Sequence, residues 1–358
     1  QTLETLVNFS TSYFSMNVDA NRNITAPITG IFHRGLLFVN TLVTIPIYSI
    51  LYFKILYWTS LYYSYHYNRY ILTGFLAYTV YIIVDPSPKR GGWSHFPSKW
   101  QRWCNNFTCF RLLAEFFDAK IIREKELDPK QQYMFMYHPH GLISVGLCAT
   151  LATNGADFEA NFPGVERKSV TLNATFLTPF YREWILANGF ISADKSTLVK
   201  TLQTKSLILV PGGAVEALYC QPGTMKLYLK NRKGFIRLAM ETNKPLIPCI
   251  GFGENEIFDT VSPTDTCSNG TGGVFPSLQF GWIRFQRWFM SQTGVALPLV
   301  IRPIPRASKI RVVVGSPLLL DNSLSVDENH RIYVESLTKL YHRHAGTLGY
   351  GNVELEIG

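Results

Sequence analysis

Tyr133-Met134-Phe135-Met136-Tyr137-His138-Pro139-His140-Gly141 is the stretch on which the reading of this chain turns. A continuous apolar run closed by Pro and Gly predicts a short strand, Tyr133 to Tyr137, buried on both faces of a sheet. Two imidazoles one residue apart are costly to place at the end of such a strand unless they do something. Histidine takes and gives protons near neutrality, so the turn reads first as a general-base site. In extended backbone, residues two apart point the same way, so His138 and His140 could share a site unless Pro139 turns the chain between them. A metal pair is a second reading, but it needs further ligands, and His33, His66, His95, His330, His342 and His344 form no second cluster beside a strand end. Satisfied structural histidines are the third.

Outward from this turn the punctuation is that of an α/β domain. Strands are predicted over Tyr133 to Tyr137, Ser169 to Leu177, Ser206 to Val210, Leu246 to Gly251, Ala296 to Ile304 and Ile310 to Val314. Helices are predicted between them over Leu142 to Thr153, Tyr181 to Asn188, Ser196 to Gln203 and Gly234 to Thr242, with a last charged helix over Asp327 to His344. Phe110 to Lys120 has helical spacing and is expected on the outside of the domain, while Asp259 to Gly273, rich in Thr, Ser and Gly, reads as a surface loop. Short apolar strands alternating with helices argue for a mixed, largely parallel sheet covered by helices on both faces. Sites in such sheets lie at strand carboxyl ends, where the histidine turn falls.

Upstream the composition changes. Of 358 residues 47% are hydrophobic and only 16% charged, and the deficit of charge is concentrated before Asp85. Residues 1–34 are polar and without period. Gly35 to Phe53 carries no charge and as a helix would reach about 28 Å, close to a bilayer core. Tyr70 to Val84 is a second uncharged run of about 22 Å, suited to a tilted or re-entrant segment. The aromatic residues between them are of the type that sits at headgroup level, and Arg34 before and Lys89, Arg90, Lys99 and Arg102 after place both flanks on the cytosolic side. The expected organisation is a polar segment 1–34, a hydrophobic membrane hairpin 35–84, a Pro- and Gly-rich linker 85–109, and a catalytic domain 110–358. Two buried helices of a soluble domain are the alternative for the hairpin.

The net charge is +9, which suits an anionic membrane surface or a phosphorylated co-substrate; no nucleic-acid-binding signature accompanies it. The six cysteines, Cys104, Cys109, Cys148, Cys220, Cys249 and Cys267, have neither disulfide-framework nor zinc spacing, which favours a reduced, cytosol-facing domain. Sequons at Asn8, Asn23, Asn106, Asn173 and Asn269 read as chance, Asn173 because it falls in an apolar strand prediction.

Three further clusters could carry chemistry. Pro211-Gly212-Gly213 closes an apolar strand before a helix former, so the backbone amides of Gly212 and Gly213 could receive a phosphate or an oxyanion, and Glu216 could orient an imidazole or pair with an arginine. Arg232, Lys233 and Arg237 surround a helix start and could clamp phosphates, or form a solvated face. Glu254, Asn255 and Glu256 follow another strand end, where a capped turn is the plainer reading.

Taken together, Tyr137-His138-Pro139-His140-Gly141, Asn161-Phe162-Pro163-Gly164, Pro179-Phe180-Tyr181-Arg182-Glu183, Pro211-Gly212-Gly213 with Glu216, Arg232-Lys233-Gly234-Phe235 and Phe252-Gly253-Glu254-Asn255-Glu256 resemble the type 2 diacylglycerol acyltransferase family, which includes monoacylglycerol and wax-alcohol acyltransferases. The likeness covers about Phe116 to Gly349. It implies a glycerolipid-acyltransferase-like fold and transfer of a fatty acyl group from acyl-CoA to the hydroxyl of a neutral lipid, diacylglycerol first, with the histidine motif at the centre; His140, the ring next to the permissive Gly141, is expected as the base in preference to His138. Pro139, Gly141, Glu254, Asn255 and Glu256 would support that centre. It also implies no metal and no cofactor beyond acyl-CoA as co-substrate, an endoplasmic reticulum membrane location with contact to lipid droplets, and room for a homo-oligomer. Distantly similar acyltransferases carry Asp five residues after the histidine; here Ile143 and Val145 stand there. Where some members have Tyr-Phe-Pro, this chain has Phe116-Phe117-Asp118. Monoacylglycerol or a long-chain alcohol are alternative acceptors. A non-catalytic membrane lipid-binding protein is the rival from another class, and a membrane esterase lacks its Gly-x-Ser-x-Gly elbow.

Overall fold

In the computed structural model the described residues are 33–38, 46–93, 98–261, 281, 284–286, 288, 298–302 and 304–358. Nearly all of the polar leading segment, most of the loop predicted after Asp259, the sequons at Asn8, Asn23 and Asn269, and Cys267 lie outside them.

The strands are β1 (Lys120–Arg123), β2 (Met134–His138), β3 (Arg167–Thr171), β4 (Phe190–Ser192), β5 (Ser206–Leu209), β6 (Met225–Leu227), β7 (Leu246–Phe252), β8 (Asp259–Val261), β9 (Leu299–Arg302), β10 (Arg311–Val314) and β11 (Leu355–Ile357). Seven form one sheet in the order β1-β10-β7-β2-β5-β3-β4, parallel throughout except where β10 runs against β7. The strand of the histidine turn is the middle one, buried at every residue. Its alternation splits the core. Tyr133, Phe135 and Tyr137 face a layer with Leu147, Leu151, Phe158 and Phe162. Met134 and Met136 face the other layer, with Phe235, Leu238, Leu337 and Leu340 from the helices Gly234–Thr242 and Val326–Ala345. The latter helix starts on a capping box between Ser325 and Glu328, which satisfies two of its orphan donors.

Several predicted elements differ from what forms. The run Ser169 to Leu177 is strand only to Thr171; Asn173–Leu177 is a 3-10 turn. Asn173 is exposed there and donates to Asp194 at 2.9 Å, so the packing objection to that sequon does not hold. Helix Leu142 to Thr153 shrinks to Val145–Ala149, bounded by Ser144 in the left-handed region at φ 54° and by Thr150 at φ −123°. The helix predicted over Phe110 to Lys120 ends at Phe116, and Lys120 opens an edge strand instead. Asp118, at φ 40°, makes that break and ion-pairs with Arg311 of β10 at 2.5 Å, so the segment with the family's missing triplet ties the sheet edge. Of Ala296 to Ile304, β9 pairs with β8 in a separate two-stranded sheet.

The hydrophobic hairpin also departs from its expected bounds. Its first arm is the helix Pro46–Tyr67, which carries Lys54 within it, and residues 39–45 lie outside the described ones. The second arm, Arg69–Val84, begins on Asn68, whose side chain accepts from the amides of Tyr70 and Ile71. Among the described residues one stretch, Arg69–Arg90, is long and apolar enough to cross a membrane by length and composition. The outward faces of both arms are apolar and bare, including Leu51, Ile55, Trp58, Tyr63, Tyr70 and Ile83. A seam of opposite chemistry fixes the pair to the sheet domain. Tyr78 donates to Glu183 at 2.5 Å and accepts from the Phe180 amide at 2.8 Å. Arg182, wholly buried, pairs with Asp85 just past the second arm and with Glu183 at 3.2 Å. Phe53 and Tyr57 lie against the rings of Tyr181 and Phe180.

Residues 85–93 and the helix Ser98–Asn105 are laid on the domain as well. Thr197 donates to the Lys89 carbonyl at 2.7 Å, and Gln101 donates to the Arg167 carbonyl at 3.3 Å.

Candidate active site

The histidine turn separates its two rings. His138 ends β2 on the face shared with Met134 and Met136, fully buried, with Nε2 2.9 Å from the Tyr333 hydroxyl of the last long helix. Burial pushes its pKa down to about 3, so it stays neutral. The peptide to Pro139 is cis, His140 beyond it lies outside the strand, and Gly141 follows at φ 58°. His140 lines a cavity of about 970 Å³ at the carboxyl ends of β2 and β5, among Leu142, Ile143, Tyr181, Trp184 and Leu209. Its Nδ1 is 3.0 Å from the Gly141 carbonyl, which as acceptor selects the Nδ1–H tautomer and leaves Nε2 basic. Burial lowers the His140 pKa, with the Gly141 carbonyl acting the other way.

Two buried carboxyls grip the turn, one from each side. Glu216 accepts the His140 backbone N–H at 2.8 Å with one oxygen and the Tyr228 N–H at 2.8 Å with the other. It therefore holds the main chain at His140 and makes no bond to the ring, which differs from the expectation that it orients the imidazole. Glu254 accepts from Val145 N–H at 2.8 Å, Gly146 N–H at 2.7 Å and the Tyr137 hydroxyl at 2.7 Å. Burial pushes each carboxyl up to about 7. The glycines of the motifs are where these side chains must pass. A Cβ at Gly141 would stand 2.4 Å from Glu254 Cγ, and one at Gly212 would stand 1.9 Å from the Glu216 carboxyl.

The rest of the predicted cluster divides. Gly213 lines the cavity, but its amide donates to the Val210 carbonyl at 3.1 Å, and Gly212 is buried beneath Glu216. The expectation that both amides receive an oxyanion is thus not what this turn offers. Arg232, Lys233 and Arg237 all line the cavity. Lys233 is paired with Asp327 at 2.7 Å, while Arg232 lies over the Tyr228 ring at 5.3 Å and acts electrostatically on Glu216. Asn255 and Glu256 lie away from the cavity and fasten the loop at Gly223 and Thr224, through 3.0 Å and 2.8 Å bonds. Pro139 is buried in the turn itself. Tyr137 enters the sequence reading only as the first residue of the histidine motif, without a role, and Tyr333, 195 positions from His138, gives no signal there at all. Among the described residues no three His, Cys, Asp or Glu side chains gather as a metal site, and the described cysteines are unbridged.

A neutral imidazole facing an apolar cavity with cations at one side can deprotonate a hydroxyl and accept a large, anionic co-substrate. That layout, at the end of a mixed α/β sheet, is compatible with group transfer between greasy substrates. The profile of the family described as "Diacylglycerol acyltransferase" matches residues 62–357. Among curated proteins, diacylglycerol O-acyltransferase 2A of Umbelopsis ramanniana is 32% identical over 290 residues, covering 75% of this chain and 76% of that one. The 2-acylglycerol O-acyltransferase 1 of Bos taurus is 30% identical over 303 residues, covering 79% and 84%. The chain belongs to the diacylglycerol acyltransferase family and is an acylglycerol O-acyltransferase, for which the family implies acyl-CoA and an acylglycerol as substrates. Among solved structures, the 1-acyl-sn-glycerophosphate acyltransferase PlsC of Thermotoga maritima aligns over 87% of this chain and 98% of that one, at 10% identity and TM-score 0.41, too distant to carry an argument.

Proposed function

We propose that this chain moves a fatty acyl group from acyl-CoA to the free hydroxyl of diacylglycerol, forming triacylglycerol, with His140 as general base. The observation that carries this reading is His140 in the wall of the large apolar cavity, its Nε2 free of the bond that Nδ1 makes. Nε2 takes the hydroxyl proton as the acceptor oxygen attacks the thioester carbonyl, and the tetrahedral intermediate collapses with loss of CoA thiolate, whose thiol pKa of about 8.5 makes it a fair leaving group. Arg232 balances the negative charge that develops beside His140, and Lys233 and Arg237 meet the CoA phosphates. No step needs a metal ion.

The cavity is walled in part by Ile50 of the first hairpin arm, together with Tyr181 and Trp184 of the domain. Bare apolar arms lying in the cytosolic leaflet of the endoplasmic reticulum would feed both lipid substrates into that seam, and the same surface would suit the monolayer of a lipid droplet. Monoacylglycerol and long-chain alcohol are the alternative acceptors, since a hydroxyl on a greasy chain is all that the base requires.

The test is acyl transfer by the full chain in membranes, with labelled acyl-CoA offered to diacylglycerol, monoacylglycerol and a long-chain alcohol. The expected result is labelled triacylglycerol as the main product and none of any product from His140→Ala. Wild-type turnover by that variant would remove His140 from the mechanism, and a preference for another acceptor would replace diacylglycerol.

A further inference from the structure

A second, smaller cavity of about 250 Å³ lies at the β3 and β4 edge of the sheet and holds four cations, Arg90, Lys168, Lys200 and Lys205. Its other walls include Trp93 and Trp100. None of these residues belongs to the acyl-transfer cavity. Lys168 is the unusual one. Alternation along β3 sends Arg167 to one face, where it stacks over Phe158 and donates to the Thr153 carbonyl at 2.8 Å, and sends Lys168 to the other. Lys168 is only 8% exposed, yet among the described residues its ammonium makes no hydrogen bond and no ion pair. A lysine buried along nearly all of its length, its ammonium reaching the cavity with no anion bonded to it, is poised for an anion that enters there. Burial already pushes its pKa down to about 8, with the charge of Lys205 adding to the effect and that of Glu166 opposing it.

The neighbours keep the ammonium uncovered. A Cβ on Gly92 would stand 3.3 Å from Lys168 Nζ, and Gly92 has φ 96°, so a bare glycine borders the charge. Lys205 is answered by Glu166 at 3.1 Å, whereas Arg90 and Lys200 have no carboxylate within ion-pair distance among the described residues. Three cations without an ion pair among the described residues converge on a space that would hold roughly eight waters at about 30 Å³ each, ample for one phosphate and its hydration.

We propose that this cavity binds a phosphate monoester, with Lys168 as the buried anchor and Arg90 and Lys200 as the rim. Its placement favours the headgroup of an anionic lipid over a soluble phosphate. Arg90 ends the 3-10 turn that follows the second hairpin arm after only Asp85 and Pro86, so the cavity opens where that apolar helix stops. Tryptophans at its rim are the side chains that settle at headgroup depth. The site stands independently of the acceptor and of the role given to His140.

The test uses the full chain in neutral detergent micelles and reads its thermal unfolding midpoint. Inorganic phosphate is titrated in one arm; in the other, micelles are doped with phosphatidate or, as reference, with phosphatidylcholine of the same chains. Expected is a rise in midpoint with phosphatidate and not with phosphatidylcholine, with half-maximal effect displaced about tenfold in Lys168→Met, the loss of one charge-assisted contact. Arg90→Gln with Lys200→Gln, on exposed residues that folding does not need, should reproduce that displacement, and Lys125→Gln with Lys130→Gln, exposed cations elsewhere, should not. A response to inorganic phosphate as strong as that to phosphatidate supports the phosphate site and assigns it to a soluble ligand. No response to either, or an equal loss in the remote double variant, overturns the proposal. So does a raised KM for acyl-CoA in Lys168→Met with the phosphatidate response intact, because the cations would then serve the co-substrate.

Discussion

His140 is held by its backbone and read through its ring, and the two can be perturbed separately. Burial lowers its pKa from the ordinary 6.5, so the ring stays a free base to lower pH than an exposed histidine. The acid limb of the kcat/KM profile for acyl transfer should therefore fall below pH 6.5, and a limb above pH 7 would contradict the assignment. The carboxyls beneath it act on stability in the opposite sense from a salt-bridged acid. Glu216 and Glu254 rise from 4.5 to about 7 on folding, so between those values the native state keeps protons that the unfolded chain has released. Their contribution is full below about pH 4.5 and is lost as pH rises through about 7. Thermal midpoints should fall across that window, and Glu254→Gln should flatten the fall while lowering the midpoint throughout, since an amide cannot accept at both Oε1 and Oε2. Gly141→Ala tests the same grip. Its Cβ would meet Glu254 at φ 58°, and a cost of roughly 2–4 kcal/mol with most of the activity lost is expected from displacement of the carboxyl and the left-handed backbone together.

Among the elements, the seam between hairpin and sheet domain is the one with most at stake. Arg182 is wholly buried, and its Nε has no partner, so its charge rests on Asp85 and Glu183. Asp85→Asn should cost on the order of 3 kcal/mol, the lower end for a broken buried pair because Glu183 remains. Since Ile50 and Tyr181 wall the acyl-transfer cavity from the two sides of this seam, the same variant should raise the KM for the lipid acceptor more than that for acyl-CoA. A melt in detergent and the two KM values check it. The motif Phe180-Tyr181-Arg182-Glu183, read from sequence as a family mark without a task, is this clasp.

For the whole molecule, the cations Arg232, Lys233 and Arg237 and the apolar residues Ile50, Tyr181 and Trp184 come from different elements to line one cavity. Arg237 is exposed at the cavity and has no carboxylate within ion-pair distance among the described residues, whereas Lys233 is already paired with Asp327. Arg237→Gln should raise the KM for acyl-CoA about fivefold to tenfold, roughly 1–1.4 kcal/mol, with kcat little changed, and Lys233→Gln should do less. Steady-state kinetics with acyl-CoA varied separates the two.

The sequence by itself determined the elements whose signal is local. An unbroken apolar run made β2, the spacing of Gly234 to Thr242 and of Asp327 to His344 made their helices, and the Tyr137-to-Gly141 turn marked the strand end that borders the large cavity. It also carried the family, because the motifs recur in order. It favoured His140 over His138 only through the neighbouring Gly141; that His140 lines the cavity while His138 is buried against Tyr333 depends on β2 lying between β7 and β5. Nor did it show that Glu216 binds a backbone amide, that Glu254 closes the turn from 117 residues beyond Tyr137, or that Lys168 is left bare at the sheet edge. Those are contacts between segments distant along the chain, and only packing of the sheet and its helices brings them within hydrogen-bond distance.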